Sequence, residues 1–490
     1  MNTSSRFSTP SRFLYRFGRG VASCISGLAA MILLLQSASA QSFPAENFMN
    51  NGPRSNRVNL VYLSDGYNSS ELSNFSVHAR NMNTALFATS PFKEYRTFFN
   101  ASLVHVPSAQ SGVLHPKTAP DCPATMPVAS PTTYFETTFD YGNIHRLVVP
   151  RRTDKINTVL AASVPDYDQA FVIANTTEYG GSGGTYPAAT GGNTSSFEVM
   201  IHELGHSFAY LADEYWAGPQ YAIEKPNMTA NANTTTNKWS YWLGRGNIGI
   251  FPYSGSNAWF RPTQGGQCKM EALGRPFCSV CAEAIVLKIH TLVDVIQAVS
   301  PTNFNALTAP ASGTIVFTLT LLKPETNTLT VRWLLNGVQW GTANAESIAL
   351  PVQNLVTGAN TLTAEVVDAT AMIRPANQPK RSVTWRITRA AATSVATNDG
   401  TPGLSIFPNP VEASFAVQYE ALCASANGVV EIVDMSGKQL FTKALGAQRV
   451  GQNRVALDVA EAYLPEGTYL VSITTDCARQ TGKMLVSRKR

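Results

Sequence analysis

The chain has 490 residues, of which 44% are hydrophobic and 14% charged, with a formal net charge of +5 and seven cysteines. That length points to about three domains, and so apolar a composition with so few charges excludes a disordered chain. Part of the positive excess lies at the ends, in Arg6, Arg12, Arg16 and Arg19 and in Arg488-Lys489-Arg490. No interior stretch clusters Lys and Arg as a nucleic-acid footprint would.

In chain order, the four early arginines precede an apolar run from Val21 to Leu35, and Ala38-Ser39-Ala40 offers small residues for cleavage, so residues 1–40 read as a secretory signal that carries Cys24 away. No later segment is long and apolar enough to span a bilayer. Val58–Leu63 is a buried-strand pattern ending in a turn at Ser64-Asp65-Gly66. Residues 71–89 have Leu72, Phe75, Ala79, Met82 and Leu86 at helical spacing, Ala101 to Val106 and Gln169 to Asn175 read as further strands, and 196–211 suits a helix. Strands alternating with helices imply an α/β domain over 41–297. Residues 298–388, with Thr314–Leu321 and Thr328–Leu334 alternating and turn signals at Asn336-Gly337, read as an immunoglobulin-like β-sandwich. A small, polar linker over 389–403 leads to a second all-β module, 404–490.

The chemistry centres on His202-Glu203-Leu204-Gly205-His206. Histidines four apart share one face of a helix, and two neutral imidazoles suit zinc. A catalytic site needs a third protein ligand and one open position. Glu203, beside the first ligand, can act as general base on a metal-activated water. The third ligand comes from Asp213 or Glu214, with Asp213 favoured by ligand chemistry. On a straight helix Asp213 would lie about 10 Å along the axis from His206, so the chain must turn back, although Ser207–Ala212 holds no glycine to mark the turn. One zinc per chain is expected. The strand ending near Asn175 is expected to flank the cleft and align an extended substrate by backbone pairing.

Two other patterns compete. Gly180-Gly181-Ser182-Gly183-Gly184 fits a nucleophile elbow, but residues 185–192 after it make a poor helix, so a glycine loop explains it better. Cys268, Cys278 and Cys281 include one C-x2-C pair; in an exported chain disulfide pairing is expected there ahead of a second zinc. Cys423 and Cys477, the only cysteines of the last module, are expected either to pair or to sit close together.

At these residues the chain resembles the IgA-peptidase family of zinc metallopeptidases. The resemblance runs through Tyr62–Tyr67, Pro91–Tyr95, Phe99-Asn100, Pro107-Ser108, Ser111-Gly112, Tyr179–Gly181, the long run His202–Trp216, Lys238-Trp239, Cys268–Met270 and Phe277–Cys281, and so covers about residues 50–290. It implies a metzincin-like catalytic domain, with Met270 as the methionine turn beneath the metal. Ala209 and Ala212 stand where the usual metzincin signature has its turn glycine and third histidine. The last module is similar to C-terminal sorting domains of the type IX secretion pathway of Gram-negative bacteria, through Phe407–Pro410, Asp434–Gly437, Gly467–Tyr469 and Gly482–Val486. It implies that the type IX machinery is a partner and that the chain is secreted or displayed on the cell surface.

The sequence therefore predicts a secreted zinc endopeptidase acting on peptide bonds of extracellular proteins, with no nucleic acid as partner. A zinc-containing surface binding protein or adhesin is the alternative, and Glu203, which binding does not need, discriminates between them. A serine hydrolase through Ser182 is a further rival, separable by its insensitivity to chelators.

Overall fold

The computed structural model describes residues 42–254, 258–391 and 404–487. The expected signal segment, with Cys24, and residues 392–403 of the expected linker lie outside the described residues. The chain divides into two compact units, one ending at Ala391 and the other starting at Ala392. Strands dominate both.

The first unit opens on a six-stranded sheet of β1 (Ala45–Met49), β2 (Val58–Asp65), β3 (Phe99–Val104), β4 (Gln169–Ala174), β5 (Gly181–Ser182) and β6 (Ala188–Thr190). Their order is β1-β3-β2-β4-β6-β5. The inner four are parallel, and β1 and β5 run antiparallel at the edges. Every residue of β2, β3 and β4 is buried, which is why these strands read as continuous apolar runs. The expected strand at 101–106 forms two residues earlier, because a short turn at Arg96–Phe98 delivers the chain straight into it.

Side-chain alternation builds two layers on this sheet. Leu60, Tyr62, Phe171 and Ile173 face helix α1 (Leu72–Ala88), which buries Phe75, Ala79, Met82 and Leu86 at the expected spacing. Val61, Leu63, Val104 and Val172 face α2 (Thr153–Ser163) through Ile156, Val159 and Leu160. On the first face, α3 (Ser195–Ala209) packs between the sheet and α4 (Ser279–Leu292).

After α4 come two sheets, one of three strands and one of five, spanning Ile296–Ser300 to Lys380–Arg389. Trp385 of the larger sheet meets Phe317 of the smaller at 5.1 Å and its own neighbour Trp333 at 5.8 Å. A buried polar knot ties this region to the helices: Asp368 accepts from Tyr95 Oη at 2.7 Å and lies 2.9 Å from His290 Nε2. Arg374 and Trp242 both donate to Glu283 of α4.

The second unit has sheets of three and four strands around a separate core containing Val417, Ile432, Val471 and Met484. Cys423 and Cys477 are bonded, with Cα atoms 6.1 Å apart. Among the described residues no helix is long and apolar enough to cross a membrane.

Candidate metal and catalytic site

Helix α3 carries His202 and His206 one turn apart. His202 Nδ1 donates to Lys269 O at 2.9 Å and His206 Nδ1 donates to Leu211 O at 2.7 Å. Each imidazole is thereby fixed as the tautomer that turns a bare Nε2 toward one point. The two Nε2 atoms lie 3.2 Å apart.

The chain does turn back after His206. Tyr210 takes the left-handed conformation (φ 56°, ψ 29°) at the helix end, and Leu211 N reaches Gly205 O at 3.1 Å. Glycine is the usual occupant of such a position, so a tyrosine there left no signal in the sequence. The turn falls one residue after Ala209, and the acid that returns falls one after Ala212. Asp213 Oδ1 lies 3.1 Å from His202 Nε2 and 3.2 Å from His206 Nε2. Asn227 clamps this segment, bonding both the N–H and the carbonyl of Ala212; nothing in the sequence marked that residue.

The three atoms thus form a nearly equilateral triangle. A tetrahedral zinc with bonds of about 2.0–2.1 Å would set its ligand atoms about 3.3 Å apart, so the triangle fits such an ion. Electrostatics agree. Burial opposes charge on His206, but Asp213 and the other acceptors outweigh it and lift its pKa to about 9. Burial likewise opposes ionisation of Asp213, yet the two histidines hold it far below the carboxylate range.

Glu203 lies beside the pair, with Oε2 3.9 Å from His206 Nε2. Burial raises its pKa against the pull of the two histidines. Its carboxylate lies directly against Gly183, where a Cβ would overlap Oε2. This accounts for the glycine at 183. Ser182 is no nucleophile there: it is buried and donates to Val148 O at 2.5 Å. Gly205 is required for a parallel reason, since a Cβ would come within 2.7 Å of Met270 Sδ. Met270 is fully buried against Gly205, between the two histidines in sequence. Tyr215 stacks beside His202 at 6.4 Å between ring centroids.

Two expectations need correction. Strand β4, expected to flank the cleft and align substrate, is paired on both sides and cannot add a strand; the edge strand β5 is covered too, with Gly181 N bonded to Arg146 O at 3.0 Å and both of its residues buried. Cys268, Cys278 and Cys281 are all unbonded and buried, not paired in disulfides. Glu214, the alternative third ligand, points away from the histidines into that cysteine group, where burial pushes its carboxyl well up. A third group, His115, Cys122, Asp140 and His145, lies elsewhere, with His145 held by Asp140 at 2.8 Å and Glu178 at 2.7 Å.

No curated protein matches the chain in sequence. Among solved structures it is similar to dimeric latent PorU from Porphyromonas gingivalis, at 15% identity over 40% of this chain and 20% of that one, with a TM-score of 0.15. It is also similar to a β-glucuronidase from Parabacteroides merdae, at 12% identity over 42% of this chain and 26% of that one, with a TM-score of 0.15. A two-domain fibronectin type III segment of chicken tenascin gives 15% identity over 37% of this chain and 97% of that one, with a TM-score of 0.16. The chain thus spans about a fifth of the first protein and a quarter of the second, and likenesses this slight carry no argument. The family comparisons do: residues 47–257, which hold the histidine helix and the returning acid, match the model of the IgA Peptidase M64 family, and residues 405–487 match a secretion system C-terminal sorting domain, which indicates export to the cell surface or beyond.

Proposed function

We propose that the chain is a zinc-dependent endopeptidase of extracellular proteins, with zinc held by His202, His206 and Asp213 and Glu203 as general base. The observation that carries this is the triangle of Nε2, Nε2 and Oδ1 atoms 3.1–3.2 Å apart with the part-buried Glu203 carboxylate beside it. When bound, zinc supplies Lewis acidity toward a carbonyl and toward water. Glu203 takes a proton from the attacking water and returns it to the leaving amine; its raised pKa suits both transfers.

In this reading residues 41–297 form a metzincin-like domain with Met270 as its methionine turn, 298–388 an immunoglobulin-like sandwich, and 404–490 a delivery module that engages the type IX machinery after a signal at 1–40. The adhesin alternative is weaker, because a structural metal has no use for an open position flanked by a general base. Cleavage-site profiling of a protein mixture, with and without a chelator, tests the proposal. Peptide-bond cleavage that a chelator abolishes and zinc restores is expected; cleavage indifferent to chelation would overturn it.

A further inference from the structure

Glu214 and three cysteines from distant parts of the chain converge in the core beneath the peptidase site. Glu214 lies on the returning segment next to Asp213, Cys268 in the turn that carries Met270, and Cys278 and Cys281 at the N-terminal end of α4. All four are buried, three of them completely. One ligand atom from each lies within 4.8 Å of all the others.

We propose that Glu214, Cys268, Cys278 and Cys281 bind a second metal ion, a structural zinc separate from the peptidase site. The spacings are those of a tetrahedral thiolate site. Zn–S bonds of about 2.3 Å set sulfurs about 3.8 Å apart and a carboxylate oxygen about 3.5 Å from each sulfur. Cys268 Sγ and Cys281 Sγ are 3.7 Å apart, and Glu214 Oε1 lies 3.2 Å from Cys281 Sγ and 3.9 Å from Cys278 Sγ. A disulfide would need the sulfurs at about 2.05 Å, and three thiols cannot all pair with one another, whereas Cys423 and Cys477 do close into a bond in the same chain.

The surroundings match a metal site as well. Asn227 Nδ2 donates to Glu214 Oε1 at 3.0 Å and Thr263 Oγ1 donates to Oε2, which orients the carboxylate. Cys278 N donates to Cys268 Sγ at 3.4 Å, and the positive end of α4 faces the sulfurs. Four protein ligands leave no position for water, so the site is closed and structural. Its work is to tie the segment bearing Asp213 to the Met270 turn and to α4. Glu214 N already meets Met270 O there, at 2.7 Å.

The test uses the exported chain, purified after loading with zinc and, separately, with cobalt. Wild type should hold about two metal equivalents, against one expected from the histidine motif alone, and the cobalt form should show sulfur-to-metal charge transfer. His202→Ala should lose one equivalent and keep that signal. Cys281→Ser should lose the signal, and Cys122→Ser should not. Should Cys281→Ser fail to fold, alkylation mapping of wild type decides: Cys268, Cys278 and Cys281 should be protected in the native zinc form and all alkylated, without reductant, after denaturation in chelator. A disulfide among the three, or a charge-transfer signal that depends on Cys122 instead of Cys281, would overturn the site. Loss of the histidine-bound metal alone would count against the catalytic reading and leave this one standing.

Discussion

Gly183→Ala tests the general base without touching it. The backbone at Gly183 lies outside the left-handed region, so alanine is conformationally allowed. Its Cβ, however, would sit 3.1 Å from Glu203 Cδ and would overlap Oε2. Carbon atoms prefer about 3.5–4.0 Å, so the carboxyl carbon must retreat by about half an ångström and the oxygen by more. A displacement near 1 Å costs roughly 10²-fold in rate, or about 2.7 kcal/mol in the barrier; losing the base outright would cost about 10²–10⁴-fold. The assay is kcat on a denatured protein substrate, with metal content measured in parallel. The expected result is a fall of about 10²-fold with metal retained, and no further fall when the change is repeated in a Glu203→Ala background. Unchanged kcat, or an equal fall in the Glu203→Ala background, would show that the loop does not act through Glu203.

The same structure sets three further outcomes. Tyr210→Gly should keep metal and activity and stabilise by no more than about 1 kcal/mol, since relief of the left-handed strain slightly exceeds the entropy of glycine; Tyr210→Val should destabilise, and urea denaturation that ranked the two the other way would contradict the turn's role. Hydrogen bonds from His290, Thr328 and Tyr95 outweigh burial and hold the Asp368 carboxyl below its ordinary range. Its folded pKa is therefore below its unfolded value of about 3.9, so its contribution is present above that pH and is lost as pH falls through the folded pKa. Asp368→Asn should flatten the acid limb of stability against pH, and an unchanged limb would remove Asp368 from the account. Ending the chain at Ala391 should leave a folded, metal-binding peptidase, since the last unit has its own core, yet strand it inside the cell envelope of its host; normal surface appearance would contradict the sorting role.

What the sequence disclosed and what it concealed have physical causes. The parallel strands and α1 were legible because strands buried on both faces make apolar runs and a half-buried helix repeats its apolar residues every three to four positions. The His202/His206 pair was legible because helical geometry fixes its spacing. Asp213 could be named only by its chemistry, since its return depends on a left-handed tyrosine and on Asn227, neither of which announces a turn. Gly183 read only as part of a glycine loop and Gly205 carried no reading of its own; their need is set by Glu203 and Met270, which are remote in sequence. The cysteines were misjudged because compartment favours disulfides, whereas in the fold all three stay unbonded and gather around Glu214, which nothing in its spacing connects to them.

The most direct measurement for the central claim is the activity and metal content of Glu203→Gln, which keeps the size of the side chain and removes its base. The account predicts undiminished metal at the histidine site and peptidase activity lowered by about 10²–10⁴-fold. Wild-type turnover with the metal in place would contradict it.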